Sequence, residues 1–185
     1  MSIRLLLAAA FCLCATTAAQ AVEYNRVNTT ASQISFTYRQ MGAPMYGTFG
    51  KFEAALDFDS ARLGDARTTL HIDLTSIDAG SEDANTELVK PAWFDTAQFP
   101  VAVFKSTRFT EVAEHRYLID GQLTLKGMTR DVQVPVEFKP GSGIGVFDGE
   151  MILNRDEFRL GAGEWADSVV SREIAIRFKV VAPQQ

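Results

Sequence analysis

Cysteine is nearly missing from this chain, and the place where it occurs excludes as much as its scarcity does. The only two, Cys12 and Cys14, fall inside an N-terminal stretch that opens on Arg4, continues through an apolar run over 5–15 and ends in Ala19-Gln20-Ala21. A positive start, a short apolar centre and small residues in an A-x-A arrangement are the marks of a cleaved export signal. The run is shorter than the about 20 residues that a spanning helix needs. Residues 1–21 therefore read as a signal peptide, with a mature chain from Val22 and the periplasm as its destination. Phe11 and Leu13 stand directly before the cysteines, where a lipoprotein would carry small residues. A mature chain without thiols has no disulfide, no thiolate metal site and no cysteine nucleophile. Its stability rests on packing.

Histidine is almost as scarce. His71 falls on the outward phase of an alternating segment, and His115 sits in the polar turn Glu114-His115-Arg116. Zinc needs three or four converging ligands, so two isolated histidines exclude a zinc centre. The sequence has no Gly-x-Ser-x-Gly elbow, no P-loop and no Gly-x-Gly-x-x-Gly, the backbone devices that carry nucleophilic serine or hold phosphates. No catalytic residue, metal or cofactor is assigned. Basic runs are missing too, which argues against nucleic acid. Without Arg4 the chain carries 17 basic against 23 acidic side chains. No second apolar run is long enough to cross a membrane.

One acidic cluster stands out: Asp78, Glu82, Asp83 and Glu87. A carboxylate pair is what glycoside hydrolysis requires, so a hydrolase would have to draw on Asp78, Glu82 and Asp83. The plainer reading is a solvated helix start, where the macrodipole favours negative charge.

What the chain has in abundance is period-two alternation, the pattern of strands with one buried face. Ile34, Phe36 and Tyr38 alternate with polar residues, as do Phe52, Ala54, Leu56 and Phe58, and then Leu70, Ile72 and Leu74. The pattern returns around Phe104, and over 117–125, 132–138, 147–153 and 174–180. These are eight strands, with a short extra one near Tyr24. Met41-Gly42-Ala43-Pro44 and Pro140-Gly141-Ser142-Gly143 supply turns. Only residues 81–90 read as helix, capped by Ser81 and stopped by Pro91. An all-β domain over 22–185 follows. Eight strands close naturally into an antiparallel barrel that holds side chains or one small ligand. Phe36, Phe52, Phe58, Phe104, Phe138, Phe147 and Phe178 face inward on this reading. Gly121 and Gly149 on the same phase leave space that large neighbours or a ligand must occupy.

The order of several segments is informative. Ile34-x-Phe36 is followed by Gly47-x-Phe49-x-x-Phe52, Leu56-x-Phe58-Asp59 and Ile72-Asp73-Leu74-x-Ser76-Ile77-Asp78-x-Gly80. Then come Trp93-Phe94-Asp95-x-x-x-Phe99-Pro100, Gly121-x-Leu123-Thr124-Leu125-Lys126-Gly127 and Arg155-x-x-Phe158-x-Leu160-Gly161. In this order they resemble the YceI-like family of periplasmic proteins across nearly the whole mature chain. The resemblance implies an eight-stranded lipocalin-like barrel that binds a polyisoprenoid chain in an apolar cavity, its polar head near one mouth. The chain departs from the commoner family pattern at two places. Gln40 stands where a histidine is usual, and Ala84-Asn85-Thr86-Glu87-Leu88 replaces Arg-Asp-x-His-Leu.

The expected apolar site comprises Phe36, Tyr38, Phe49, Phe52, Leu56, Phe58, Leu70, Ile72, Leu74, Phe94 and Phe104. Arg155 and Gln40 are the candidates for the head group, Arg155 either meeting an anionic head bidentately or closing the rim by ion pairing. The expected ligand is an isoprenoid lipid of the polyprenyl phosphate or prenylquinone type, carried or sequestered, with transient contact to inner-membrane proteins. The alternative is an accessory protein of a membrane redox or stress-response system without an obligatory ligand.

Overall fold

A computed structural model describes residues 22–161 and 169–185. The signal peptide read over residues 1–21 lies outside the described residues.

All eight expected strands form, and among the described residues the sheet has eleven. They are β1 (Glu23–Tyr24), β2 (Gln33–Gln40), β3 (Ala43–Phe49), β4 (Phe52–Asp59), β5 (Arg67–Asp73), β6 (Ile77–Asp78), β7 (Val101–Ala113), β8 (Arg116–Leu125), β9 (Met128–Pro140), β10 (Ile144–Asn154) and β11 (Glu173–Pro183). They form one antiparallel sheet in the order β1-β4-β5-β7-β8-β9-β10-β11-β2-β3-β6. The short strand near Tyr24 is β1. The unexpected ones are β3 and β6.

β3 escapes the alternation rule because Pro44 and Gly47 interrupt it, and both residue types are depleted in strands. Pro44 is tolerated because, among the described residues, the length of β3 beside it has a partner on one side only, Arg39 of β2, the position where proline costs no ladder bond. Only Thr48 and Phe49, at the far end, pair on the other side with β6. The connection to β2 is shorter than the expected four-residue turn. Met41 and Gly42, with φ of 50° and 83°, form a two-residue hairpin loop of the twist that suits paired strands.

Among the described residues the sheet curls into a half-barrel without closing strand to strand, where a closed eight-stranded barrel was expected. β3 and β4 are consecutive in the chain yet fall near opposite ends of the sheet order. The corner between them is tied instead by single bonds. Gly50 donates to the Ser76 carbonyl at 3.0 Å, and Asp73 donates to the Lys51 carbonyl at 3.0 Å. The fold is a curled half-barrel.

The helix α1 (Glu82–Leu88) lies within the expected range. Ser81 Oγ accepts from the Ala84 N–H at 3.2 Å, satisfying one of the donors that a helix start leaves open. Glu82 and Asp83 occupy its first turn.

Two apolar clusters fill the half-barrel. At one end Phe58 is surrounded by Tyr24, Phe109, Tyr117, Phe138 and Phe147, with ring centroids 5.1–6.4 Å away. Those with Tyr117 and Phe147 are edge-on, an arrangement that aromatic quadrupoles favour. This end is solid. The second cluster, around Phe36, Leu74, Trp93, Leu123, Leu153 and Phe158, leaves an opening.

Candidate functional site: an apolar cavity under a helical rim

The opening is a cavity of about 540 Å³, within the range of small-molecule sites. Its wall is built strand by strand from residues of one phase. β2 contributes Ile34, Phe36, Tyr38 and Gln40; β5 contributes Thr68, Leu70 and Ile72; β8 contributes Ile119, Leu123 and Leu125; β11 contributes Ile174, Ile176, Phe178 and Val180. Phe104, Met151 and Leu153 complete the sides, and α1 covers part of the mouth with Ser81, Asp83, Ala84, Glu87 and Leu88. Because strand side chains alternate between faces, a uniform apolar phase on the concave side makes the lining almost entirely hydrocarbon.

Of the expected apolar site, Phe36, Tyr38, Phe49, Leu70, Ile72, Leu74, Phe94 and Phe104 line this cavity. Phe52, Leu56 and Phe58 do not. Leu56 and Phe58 are buried in the solid aromatic end, and Phe52 is half-buried beside the β3–β4 corner. The phase assigned to β4 places Ala54 in the wall, but the depth differs. Alternation tells which face a side chain takes and says nothing about how far along the half-barrel the lumen stays open. Trp93, Leu123, Met151, Leu153 and Ile176 belong to the wall and were not singled out. Their signal was the same alternation, except for Trp93, which lies in a turn.

The space opposite the inward glycines is taken by rings. A Cβ on Gly149 would lie 2.1 Å from Phe178 Cζ, and one on Gly121 would lie 2.5 Å from the Phe104 ring. Gly47 receives the Phe36 ring in the same way, at 2.2 Å. In each case the ring lies against the wall, over the neighbouring strand, so bulk is stored in the wall and not across the lumen.

Gln40 and Arg155 both reach the cavity, but they differ in availability. Gln40 is half-buried and bridges to Val170 through its backbone. Arg155 follows β10, in a 3₁₀ turn over Arg155–Phe158, and is 3% exposed. Its Nη1 donates to the carbonyls of Leu160 at 2.7 Å and Gly161 at 3.3 Å, its Nη2 to Val170 at 3.2 Å and its Nε to Ser171 at 3.1 Å. The guanidinium also lies 3.5 Å from the Asp156 carboxylate and 5.9 Å from the centre of the Trp93 ring. Trp93 in turn packs on Gly161, whose N–H donates to the Ala92 carbonyl at 2.8 Å. Arg155 thus binds the two sides of the rim together. Among the described residues the guanidinium is held mainly by carbonyls, with the Asp156 carboxylate beside it.

The Tyr38 hydroxyl donates to the Ala79 carbonyl at 3.4 Å, and burial raises its pKa above the ordinary tyrosine value. It is a neutral group at working pH. The acidic candidates have local duties as well. Asp78 Oδ1 accepts from the Gly80 N–H at 3.0 Å and from the Asn85 side-chain amide at 3.4 Å, while Glu87 pairs with Lys90. Among the described residues no helix is long and apolar enough to cross a membrane.

An antiparallel half-barrel curled around a largely hydrocarbon cavity is an architecture of the lipocalin-like kind. The YceI-like domain model matches residues 26–182, and the chain belongs to that family. It is similar to BcnA of Burkholderia cenocepacia, at 34% identity and a TM-score of 0.82 over 85% of this chain and 99% of that one. A polyisoprenoid binding domain from Saccharophagus degradans shares the fold at 18% identity and a TM-score of 0.65, covering 89% and 99%. A UPF0312 protein of Vibrio parahaemolyticus is 26% identical over 120 residues, 64% of this chain. The chain spans 63% of that relative's length, and 54% of a 30% identical UPF0312 protein from Photorhabdus laumondii.

Proposed function

We propose that this protein binds an isoprenoid lipid in its cavity and carries or sequesters it in the periplasm, without catalysing a reaction on it. The observation that carries this reading is the apolar cavity, whose wall takes Phe36, Leu70, Ile72, Leu123, Ile176 and their neighbours from nearly every strand. An apolar lumen of that kind rewards a flexible hydrocarbon and offers little to a polar metabolite. The likeness in fold to a domain named for polyisoprenoid binding supports the same ligand class. The export signal read in residues 1–21 supports the compartment, and contact with inner-membrane proteins would be transient, at loading and release.

Energetics set the size of the ligand. Burying hydrocarbon contributes about 0.8 kcal/mol per CH₂, so a five-carbon prenyl unit contributes roughly 4 kcal/mol at most. Association costs an estimated 4–15 kcal/mol. A single unit therefore binds poorly, and affinity rises over several units until the lumen is full.

The test is mass spectrometry of an organic extract of protein purified from the periplasm, followed by titration of the delipidated chain with prenyl alcohols of increasing length. Prenyl lipid in the extract and a length-dependent affinity are expected. An empty protein whose affinity ignores chain length would remove the reading.

A further inference from the structure

Among the described residues that line the cavity, the accessible charge is of one sign. Asp83 and Glu87 both line it from α1, four residues apart, the spacing that places side chains on one helix face. Asp83 is exposed and has no ion-pair partner among the described residues. Glu87 meets Lys90, which itself lies outside the lining. The cation in the cavity wall, Arg155, is buried with its donors on the carbonyls of Leu160, Gly161, Val170 and Ser171. Turning it toward a ligand would strip the rim of those bonds.

The neutral polar groups of the wall are few. Tyr38 is engaged with Ala79, and Ser81 caps α1. Thr68 donates its hydroxyl to the Ala55 carbonyl. The Gln40 side-chain amide makes no hydrogen bond among the described residues, and it both donates and accepts.

Resting on the isoprenoid reading, we infer that this cavity selects a ligand whose polar end is uncharged. Gln40 is its hydrogen-bonding partner, and Asp83 and Glu87 turn away anionic heads. An anion entering here would leave its hydration for a hydrocarbon wall without an available cation, which is costly, and would approach two carboxylates. An alcohol, amide or carbonyl head meets neither penalty and satisfies the Gln40 amide.

The test compares two probes of equal chain length, geranylgeraniol and geranylgeranyl monophosphate, on the delipidated full chain. The alcohol is expected to bind about tenfold more tightly at 0.15 M salt, a difference of about 1.4 kcal/mol. The gap should widen at low salt, as the screening length grows beyond about 8 Å. Asp83→Asn with Glu87→Gln should narrow the gap by raising affinity for the phosphate, and Asp83→Lys should raise it further. Gln40→Leu should weaken the alcohol severalfold. A monophosphate that binds the parent chain as tightly as the alcohol, or a gap left unchanged by neutralisation of both carboxylates, overturns the inference and leaves the carrier reading standing. Failure of both probes to bind overturns the carrier reading itself.

Discussion

Phe36 stands directly across the sheet from Gly47, and its ring occupies the place that a Cβ on Gly47 would take, with Cζ 2.2 Å away. The pair Phe178–Gly149, also directly opposite, repeats the arrangement on the next two strands of the wall. Large aromatic side chains and a wide lumen are compatible here because the glycines let the rings lie along the wall.

Replacing Gly47 or Gly149 by alanine should push its ring into the lumen or shift the two strands apart. Overpacking of this kind costs roughly 1–3 kcal/mol. A lower urea midpoint should accompany reduced affinity for longer prenyl chains, with short chains affected less. Unchanged capacity for long chains in a stably folded Gly149→Ala protein would show that the rings do not gauge the bore.

Leu56 and Ile72 share the inward phase but lie at opposite ends of the half-barrel, so the same substitution should act differently on each. Leu56→Gln buries an amide in the aromatic end around Phe58, where an unpaired polar group costs roughly 1–3 kcal/mol. It should appear in the urea midpoint. Ile72→Gln faces the cavity and should appear mainly as lost prenyl-lipid affinity. His71, exposed on the outer face, should affect neither when changed to serine. Asp73 is not an equivalent control, since its Oδ1 accepts from the Thr75 N–H at 2.9 Å and the Thr75 hydroxyl at 2.6 Å.

Arg155→Ala should destabilise the protein and loosen the rim. It removes the donors that satisfy four carbonyls, and each buried acceptor left unpaired costs roughly 1–3 kcal/mol. Arg155→Lys should recover only part of this, because an ammonium lacks the planar fork that reaches carbonyls on both sides. Thermal unfolding and prenyl-lipid release rates are the measurements. A variant of full stability that loses only anionic ligands would assign Arg155 to the head group instead.

Asp59 gives the fold a pH dependence with a definite sign. Its carboxyl accepts from Arg62 Nε at 2.7 Å and from the Ala61 N–H at 2.8 Å, and these bonds, that of Arg62 foremost, hold its pKa below the ordinary aspartate value. A carboxyl depressed in the folded state contributes stability above its unfolded pKa of about 3.9 and loses it as pH falls through the folded value. Asp59→Asn should therefore lower stability at pH 7 and make little difference near pH 2. Urea midpoints of the two proteins that stay equally far apart at both pH values would contradict this.

Much of the fold was legible in the residues because a pleated strand encodes its buried face locally. Ile34-x-Phe36-x-Tyr38, Leu70-x-Ile72 and the long alternation ending at Leu125 each named their inward phase without reference to the rest of the chain. Ser81 and Pro91 bounded the helix for equally local reasons. β3 was missed because its pairing with β2, and not its own composition, makes it a strand.

Tertiary structure decided what alternation cannot carry. Whether an inward residue meets a neighbour or an open lumen depends on rings arriving from distant strands. Phe58, Phe138 and Phe147 converge and fill one end, while Phe36, Phe104 and Phe178 fold back over glycines and leave the other open. The partner of Arg155 was equally hidden, since the carbonyls of Leu160, Gly161, Val170 and Ser171 come within its reach only when the chain returns to the rim. Local residue patterns set an apolar interior of β-strands. The three-dimensional packing determined where that interior is empty, and which charges stand at its door.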